Sequence, residues 1–141
     1  MPMHPEDRER FPDSFPQALI DSARSLGEWN LVESIWKYED IKKVINFLVD
    51  AHYLITGGDV YIEESHQFYQ MPDNWYIKDS DPRPLRERGE TDRERILMAS
   101  REQSLAYVEN YWKRNGDNYF YSIVFSDAEP HRTRHQRLRD L

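Results

Sequence analysis

Hydrophobic residues follow two different periods along the chain. Between Ile41 and Val49 they recur every three or four positions, with lysine, asparagine and the following Asp50 on the opposite face, which predicts an amphipathic helix over residues 39–51. Over residues 53–78, dense β-branched and aromatic side chains are interrupted by Gly, Asp, Asn and Pro, which predicts two or three short strands. We therefore predict that residues 53–78 form the sheet on which the rest of the chain packs.

Two adjacent glycines, Gly57 and Gly58, interrupt this block. Glycine permits a positive φ or a close approach of two backbones, so the pair predicts a bulge or bend inside a strand. The pair lacks the third glycine of a dinucleotide-binding turn and the Lys-Ser/Thr of a nucleotide-binding loop. We therefore expect the glycines to be structural, and we expect no cofactor.

The N-terminal part of the chain has weaker patterns. Ser14 and Gly27 can cap the two ends of a short helix over residues 15–26. Residues 28–38 fit either a short helix or an irregular segment that covers the core. The first thirteen residues have three prolines and mixed charge, which predicts a flexible segment over residues 1–13.

The C-terminal half predicts a loop, a long helix and a final strand. Residues 79–90 are polar and lack periodicity, which predicts a solvent-exposed loop. Thr91 and Glu94 have the spacing of a capping box and should begin a helix that reaches about residue 114. Its inner stripe consists of Leu97, Ser100, Ser104, Tyr107, Val108 and Tyr111. Residues 119–125 are apolar enough to predict a central strand.

Together these elements predict an α+β fold, with a small, mostly antiparallel sheet and helices packed on one face. The length suits one domain with its own core. We predict a flexible N-terminal segment over residues 1–13, a single α+β domain over residues 14–126 and an Arg-rich tail over residues 127–141. The chain has no cysteine, which excludes disulfides and thiolate metal sites.

Negative charge is concentrated in the segment that is predicted to build the sheet. The net charge is −7, and residues 28–81 contain eleven acidic residues against four lysines. Such a surface repels nucleic acid and favours basic partners. Tyr and Trp are abundant, and both are enriched at protein interfaces. Since no secretory signal or membrane-length apolar run is present, we expect a soluble cytoplasmic protein that binds neither nucleic acid nor membrane.

The histidines are the candidates for metal binding or catalysis. His131 and His135 would share a helix face, but neighbouring arginines and the missing carboxylate ligand argue against a metal ion there. His52, Asp59 and His66 flank the predicted strands and support an alternative hypothesis, a small enzyme with a His/Asp site near the sheet edge. No serine- or cysteine-nucleophile signature is present, which favours a binding role over catalysis.

Three short motifs distinguish the strand block and the helix that follows it. Residues 57–61 read Gly-Gly-Asp-Val-Tyr, residues 73–76 read Asp-Asn-Trp-Tyr, and the helix carries two serines ahead of a pair of tyrosines. In order and spacing this pattern resembles the immunity protein 40 family, small bacterial proteins associated with polymorphic toxin systems and predicted to neutralise a cognate toxin. The chain departs from the pattern at Ser104, where the family tends to have Ala, in a longer loop over residues 79–90, and in its Arg-rich tail.

The resemblance implies an immunity protein that binds a toxin domain and blocks its active site. The matching positions, for which we expect mainly structural roles, are Gly57, Gly58, Asp59, Val60, Tyr61, Asn74, Trp75, Tyr107 and Tyr111. In particular, we expect Tyr61 and Trp75 to pair across two strands on the core face.

Partner binding is expected at acidic and aromatic positions around the sheet. If the toxin is a nuclease its site is basic, and carboxylates would mimic its substrate and speed association. The expected contact residues are Glu63, Glu64, Tyr69, Asp73, Trp75, Tyr76, Asp79 and Asp81. Besides the small enzyme, an interaction module with a non-toxin partner is a further alternative.

Overall fold

A computed structural model of the chain describes residues 3–26 and 33–129. The helices are α1 (Pro5–Arg8), α2 (Gln17–Ser22), α3 (Tyr38–Asp50) and α4 (Glu90–Asn115). The strands are β1 (Arg24–Ser25), β2 (Ser34–Lys37), β3 (Tyr53–Glu64), β4 (Gln67–Tyr76), β5 (Tyr119–Tyr121) and β6 (Val124–Asp127). They form one antiparallel sheet in the order β1-β2-β5-β3-β4, and β6 also pairs with β3. The predicted α+β fold is confirmed.

The predicted sheet block is a single long hairpin of β3 and β4, joined by Ser65 and His66. Strands are therefore confirmed in this block, although there are two long ones where two or three short ones were predicted. β3 is central, because β4 pairs with one of its edges and β5 and β6 pair with the other. The pairing of β3 with β6 shifts register between Ile55 and Gly57, which confirms the bulge predicted at the glycine pair.

The two long helices contact the sheet through apolar stripes. The stripe predicted for α3 is confirmed, since Ile41, Val44, Ile45, Leu48 and Val49 are all buried. Glu39 and Asp40 lie in the first turn of α3, where their charge stabilises the helix dipole. After α3, His52 adopts a positive φ of 64° and turns the chain into β3.

The inner stripe of α4 is also confirmed, with Leu97, Ser100, Ser104, Val108 and Tyr111 buried and Tyr107 half-buried. The capping box predicted at Thr91 is wrong. The helix begins one residue earlier, its N-cap is Gly89, and no side chain caps it. Thr91 therefore lies within the first turn. Gly116, with a positive φ of 85°, ends the helix.

The helix predicted over residues 15–26 is shorter in the structure. α2 ends at Ser22, and the chain then extends so that Arg24 pairs with Ile35 and Ser25 pairs with Ser34. The segment over residues 28–38 fitted a helix or an irregular segment. Residues 28–32 lie outside the described residues, and β2 forms over residues 34–37. Pairing with a distant strand therefore takes precedence over the local helical pattern.

The N-terminal residues pack into the core, which differs from the flexible segment expected over residues 1–13. Phe11 is fully buried, and its ring contacts Trp36 and Phe125 at centroid distances of 5.9 and 4.9 Å. Asp7 is buried in α1 and accepts a 3.0 Å hydrogen bond from the backbone N–H of Ser34. The composition of residues 1–13 could not indicate these contacts, because the residues that Phe11 and Asp7 contact lie far along the chain.

The strand predicted over residues 119–125 is divided into β5 and β6. β5 lies between β2 and β3, so its predicted central position is confirmed. Tyr121 is opposite Val60 and Val124 is opposite Gly57, so the register of β5 along β3 continues into the first residue of β6. Between β5 and β6 the backbone pairing with β3 is interrupted at Ser122. Here the N–H of Asp59 donates to the side-chain Oγ of Ser122, at 3.1 Å, and not to a backbone carbonyl.

The main core lies between the helices and one face of the sheet. A smaller apolar cluster of Ile35, Tyr61 and Phe120 lies on the other face. Of the helices in residues 3–26 and 33–129, none combines the length and apolarity needed to cross a membrane.

Candidate functional site

The glycine pair of β3 lies against Trp75 of β4. Gly58 is opposite Trp75 in the register of the hairpin. A Cβ atom at Gly58 would lie 2.3 Å from Cη2 of Trp75, and a Cβ atom at Gly57 would lie 2.2 Å from the Trp75 carbonyl oxygen. These distances leave no room for a side chain, so the close approach of the two strands and the indole requires glycine at both positions.

Trp75 connects the hairpin to α4. Its indole Nε1 donates a hydrogen bond to Oγ of Ser104 at 3.1 Å, and its ring stacks on Tyr107 with centroids 5.0 Å apart. The side chain is only 5% exposed. A buried indole N–H without an acceptor is destabilising, and the hydroxyl of Ser104 supplies that acceptor.

Tyr111 extends this contact along α4. Its ring lies 6.1 Å from Tyr107 and 5.2 Å from Tyr119, centroid to centroid. Its hydroxyl donates a 2.9 Å hydrogen bond to Oδ2 of Asp73. Burial, and then this hydrogen bond, raise the pKa of the Tyr111 hydroxyl, so it stays protonated at neutral pH. The segment from Asp73 to Trp75 is therefore held against α4 at two points.

Tyr61 lies on the opposite face of the sheet from Trp75. It is 6% exposed and packs in the smaller apolar cluster. The register places Tyr61 opposite Gln70, so the expected pairing of Tyr61 with Trp75 on the core face is wrong. Side chains alternate between faces along a strand, and Tyr61 lies three positions, an odd number, after Gly58, the partner of Trp75.

A half-buried carboxylate, that of Glu33, contacts Tyr61 on this second face. The Tyr61 hydroxyl donates to Oε2 of Glu33 at 3.3 Å. Burial raises the pKa of the Glu33 carboxyl; Arg10 acts against this rise, whereas the neighbouring charge of Asp59 adds to it. Glu33 and Asp59 therefore place two interacting carboxylates on the face of the sheet that the main core does not use.

Several of the expected partner-binding residues are accessible. Tyr76 is 73% exposed and Tyr69 is 48% exposed. Glu64 is exposed at the end of β3, and its carboxylate forms no hydrogen bond or ion pair with the described part of the chain. Asp73 is also exposed, although one of its oxygens accepts the tyrosine hydroxyl of α4. Trp75 differs from these residues because its buried ring cannot meet a partner.

The three remaining acidic candidates are ion-paired within the chain. Glu63 accepts a 3.0 Å hydrogen bond from Arg24. Asp79 and Asp81 both lie near the guanidinium of Arg88, with N–O distances of 2.5 and 3.7 Å. Because these carboxylates already have cationic neighbours, a basic partner gains less from them than from an unpaired carboxylate.

Arg88 organises the loop between β4 and α4. Its side chain is 5% exposed and donates hydrogen bonds of 2.9 Å to the carbonyls of Asp81 and Arg83. Hydrogen bonds from Arg83 hold the pKa of Asp81 well below its usual range. Most of the loop is exposed, as predicted, but the buried Arg88 was missed. The sequence signal was the pair of aspartates, Asp79 and Asp81, that precedes three arginines in the same loop.

The three residues of the hypothetical His/Asp site are far apart. His52 precedes β3 and His66 follows it, so the twelve residues of the strand separate them. At about 3.3 Å per residue this separation is roughly 40 Å. Asp59 lies near the middle of the strand, and His52 contacts Glu129 with its Nδ1 atom. The proposed convergence of these side chains is therefore wrong.

No group of three or more His, Asp or Glu side chains in residues 3–26 and 33–129 is placed to hold a metal ion. His131 and His135, together with most of the Arg-rich tail, lie outside the described residues.

The sequence motifs and their packing can be compared with known families. The family model described as immunity protein 40 matches residues 25–125, a range that begins in β1 and ends in β6. The chain belongs to the immunity protein 40 family. The resemblance seen in the sequence is thereby confirmed, and membership supports an immunity protein role with a protein partner. No curated protein and no solved structure matches the chain.

The family match does not include the first 24 residues of the chain. α1 and α2 precede residue 25, where the match with the immunity protein 40 family begins. Nevertheless, Phe11 and Asp7 make buried contacts with matched parts of the chain. The N-terminal helices therefore complete the core of this immunity protein.

Proposed function

We propose that this immunity protein binds the toxin domain of a cognate polymorphic toxin in the cytoplasm and occludes its active site. The observation that carries the proposal is membership of the immunity protein 40 family over residues 25–125. The wide separation of His52, Asp59 and His66 removes the enzymatic arrangement that the sequence had suggested. The role is therefore binding, with the toxin domain as the partner.

The charge of the β3–β4 hairpin supports a basic partner. Residues 53–77 contain four acidic residues and no lysine or arginine. A cationic surface, such as the phosphate-binding site of a nuclease, is electrostatically complementary to such a segment. Complementary charge speeds association and disfavours wrong partners, so the hairpin is the part of the chain best suited to the toxin.

Four of the expected contact residues remain suited to this role: Glu64, Tyr69, Asp73 and Tyr76. The two tyrosines supply exposed aromatic area, which is the type of side chain that dominates binding energy at protein interfaces. The carboxylates lie beside them on the same hairpin. We assign the ion-paired Glu63, Asp79 and Asp81 supporting roles at most, and we assign Trp75 to the core.

The free edge of β4 favours recognition through side chains. Three residues of β4, Met71 to Asp73, lie opposite the single residue Val60 of β3, so β4 bulges at this point. The central residue of the bulge is Pro72, which has no N–H to donate to another strand. Bulges and prolines protect sheet edges from pairing with other chains, so addition of a toxin strand is disfavoured here.

Co-expression with the toxin gene expected immediately upstream tests the proposal. Cells that make both proteins should grow, and the purified chain should bind the catalytically inactivated toxin domain. We expect Tyr76→Ala to weaken that binding at least about tenfold, as at an interface hot spot. Met98→Ala is the matched control, because Met98 is 50% exposed on α4 and lines a cavity with Asp50 and Arg101, neither of which belongs to the hairpin. Death of cells that contain abundant folded chain would refute the proposed function.

A further inference from the structure

The distal part of the β3–β4 hairpin projects past the rest of the sheet. The last pair between β3 and β5 is Ile62 with Tyr119. Beyond it, β3 and β4 pair only with each other, and residues 64–67 are all exposed. We call residues 62–69 the hairpin arm.

One face of the hairpin arm is fixed to the body of the protein. The guanidinium of Arg24 lies over the ring of Phe68, 4.9 Å from its centroid, and pairs with Glu63 at 3.0 Å. Phe68 also contacts Phe120 edge to face, with centroids 5.1 Å apart. These contacts hold the arm in one position, so an interface built on it loses little conformational freedom on binding.

The other face and the tip of the arm make few contacts. Side chains alternate along each strand, so Glu64 and Tyr69 lie on the face opposite to Glu63 and Phe68. The Glu64 carboxylate has no hydrogen bond or ion pair within residues 3–26 and 33–129. Tyr69 is 48% exposed, and its hydroxyl donates to Gln67 at 2.8 Å. This face therefore offers one unpaired carboxylate and one half-exposed aromatic ring.

The turn at the tip has a backbone that its residues do not favour. Ser65 and His66 adopt φ values of 51° and 67°, in the left-handed region. A two-residue hairpin turn with both φ values positive strongly prefers Asn-Gly, which adopts this conformation with little strain. Neither side chain forms a hydrogen bond with the described residues that would explain its presence. Ser65 and His66 are unfavourable residues for this turn, which indicates that their side chains have a role other than forming it.

We propose that the hairpin arm enters a cationic cleft of the toxin domain, with Glu64, Ser65, His66 and Tyr69 as its contact residues. The inference rests on the proposed function and specifies which part of the hairpin makes the decisive contact. The occupant follows from charge: the arm carries Glu63 and Glu64 and has no lysine or arginine of its own. An unpaired carboxylate on a rigid projection suits a cleft lined by arginine or lysine.

The test separates the stability of the turn from its role in binding. Ser65→Asn combined with His66→Gly installs the preferred turn and keeps the hairpin register. We expect the thermal unfolding midpoint to stay the same or rise, and binding to the inactivated toxin domain to weaken at least about tenfold. We expect Glu64→Lys to weaken binding by a similar factor and to reduce the association rate, most strongly at low salt.

Glu102→Lys is the control for charge, because Glu102 is exposed on α4 and the substitution changes the net charge equally. It should bind the toxin domain about as well as the wild-type chain. If the wild-type chain binds and both arm variants bind equally well, the arm is not the contact and the inference is overturned. If the wild-type chain itself fails to bind, the proposed function is wrong. If the turn variant unfolds, the binding of Glu64→Lys tests the inference alone. This variant should fold, because the Glu64 carboxylate forms no hydrogen bond or ion pair within the described residues.

Discussion

The indole ring of Trp75 occupies the space that a side chain at Gly58 would need. A Cβ atom at that position would lie 2.3 Å from Cη2 and 2.6 Å from Cζ3 of the ring. The ring is held there by Ser104 and Tyr107 of α4. Three sequence motifs that are distant along the chain therefore form one structural unit in which each fixes the geometry of the others.

Gly58→Ala should disrupt this unit. The new methyl group would meet the Trp75 ring and also the carbonyl oxygen of Ser122, which lies 2.3 Å away and belongs to the backbone. We expect the free energy of unfolding to fall by about 2–3 kcal/mol, as in an overpacked core. Urea denaturation would measure the loss.

Gly89→Ala is the matched control for this substitution. A Cβ atom there has no neighbour within 4 Å, and the φ of −67° suits any residue. We expect a loss of no more than about 1 kcal/mol, because alanine is a poorer residue than glycine at the N-cap of a helix but meets no steric clash here. If both substitutions lowered the free energy of unfolding equally, the Trp75 ring would not be what excludes a side chain at Gly58.

Ser104→Ala should leave the indole N–H of Trp75 without an acceptor. We expect a loss of about 1–3 kcal/mol in the free energy of unfolding, the usual cost of an unsatisfied buried donor. Ser100→Ala is the control, because Ser100 is equally buried in α4 but its hydroxyl donates only to the carbonyl of Leu97 in the same helix. If urea denaturation shows the same loss of unfolding free energy for Ser100→Ala as for Ser104→Ala, the hydrogen bond to Trp75 makes no specific contribution to stability.

Glu33 should make stability depend on pH in a defined direction. Its folded-state pKa is raised above the ordinary value of 4.5, chiefly by burial. Such a group favours the fold when protonated; its contribution is complete below the unfolded-state pKa and is lost as pH rises through the folded-state pKa. We expect Glu33→Gln to raise the thermal unfolding midpoint near neutral pH and to change it little at about pH 4.

The exposed Glu39→Gln provides the control for Glu33. It should not reproduce the pH-dependent gain in the unfolding midpoint. A gain for Glu33→Gln that is larger in acid than near neutral pH would have the opposite sign and would reject the assignment of a raised pKa to Glu33.

Arg88→Met should loosen the loop between β4 and α4. The substitution keeps much of the apolar stem but removes the donors to Asp79 and to two loop carbonyls. We expect faster amide hydrogen exchange over residues 79–92 and unchanged exchange in β3. Arg86→Met is the control, because Arg86 is exposed and forms no hydrogen bond or ion pair with the described residues. Slow exchange throughout the loop of Arg88→Met would contradict this role.

The parts of the fold that were predicted correctly depend on local patterns. The apolar stripe of α3 lies within a few turns, and the strand residues of the hairpin alternate around one glycine break. The same is true of the inner stripe of α4. In each case the period within the segment is enough to identify the element and the face that it buries.

The missed features depend on partners that are distant in sequence. Phe11 is buried by Trp36 and Phe125, and nothing in its own neighbourhood indicates this. The faces of Tyr61 and Trp75 depend on the hairpin register, which the bulge at Pro72 changes. Among the candidate contact residues, the sequence identified charge and aromaticity, but it could not show which carboxylates already had an arginine neighbour.

The absence of basic residues from the hairpin decides how its contacts can be mapped chemically. Between Lys43 and Lys78 the chain has no lysine or arginine, so a single tryptic peptide contains the whole hairpin and most of α3. Amine-reactive cross-linkers have no lysine to attach to on the hairpin itself, since Lys78 follows the end of β4, whereas carbodiimide can join the hairpin carboxylates directly to lysines of a bound protein. A zero-length link from Glu64 to a lysine of the toxin domain would thus be read from one peptide by mass spectrometry.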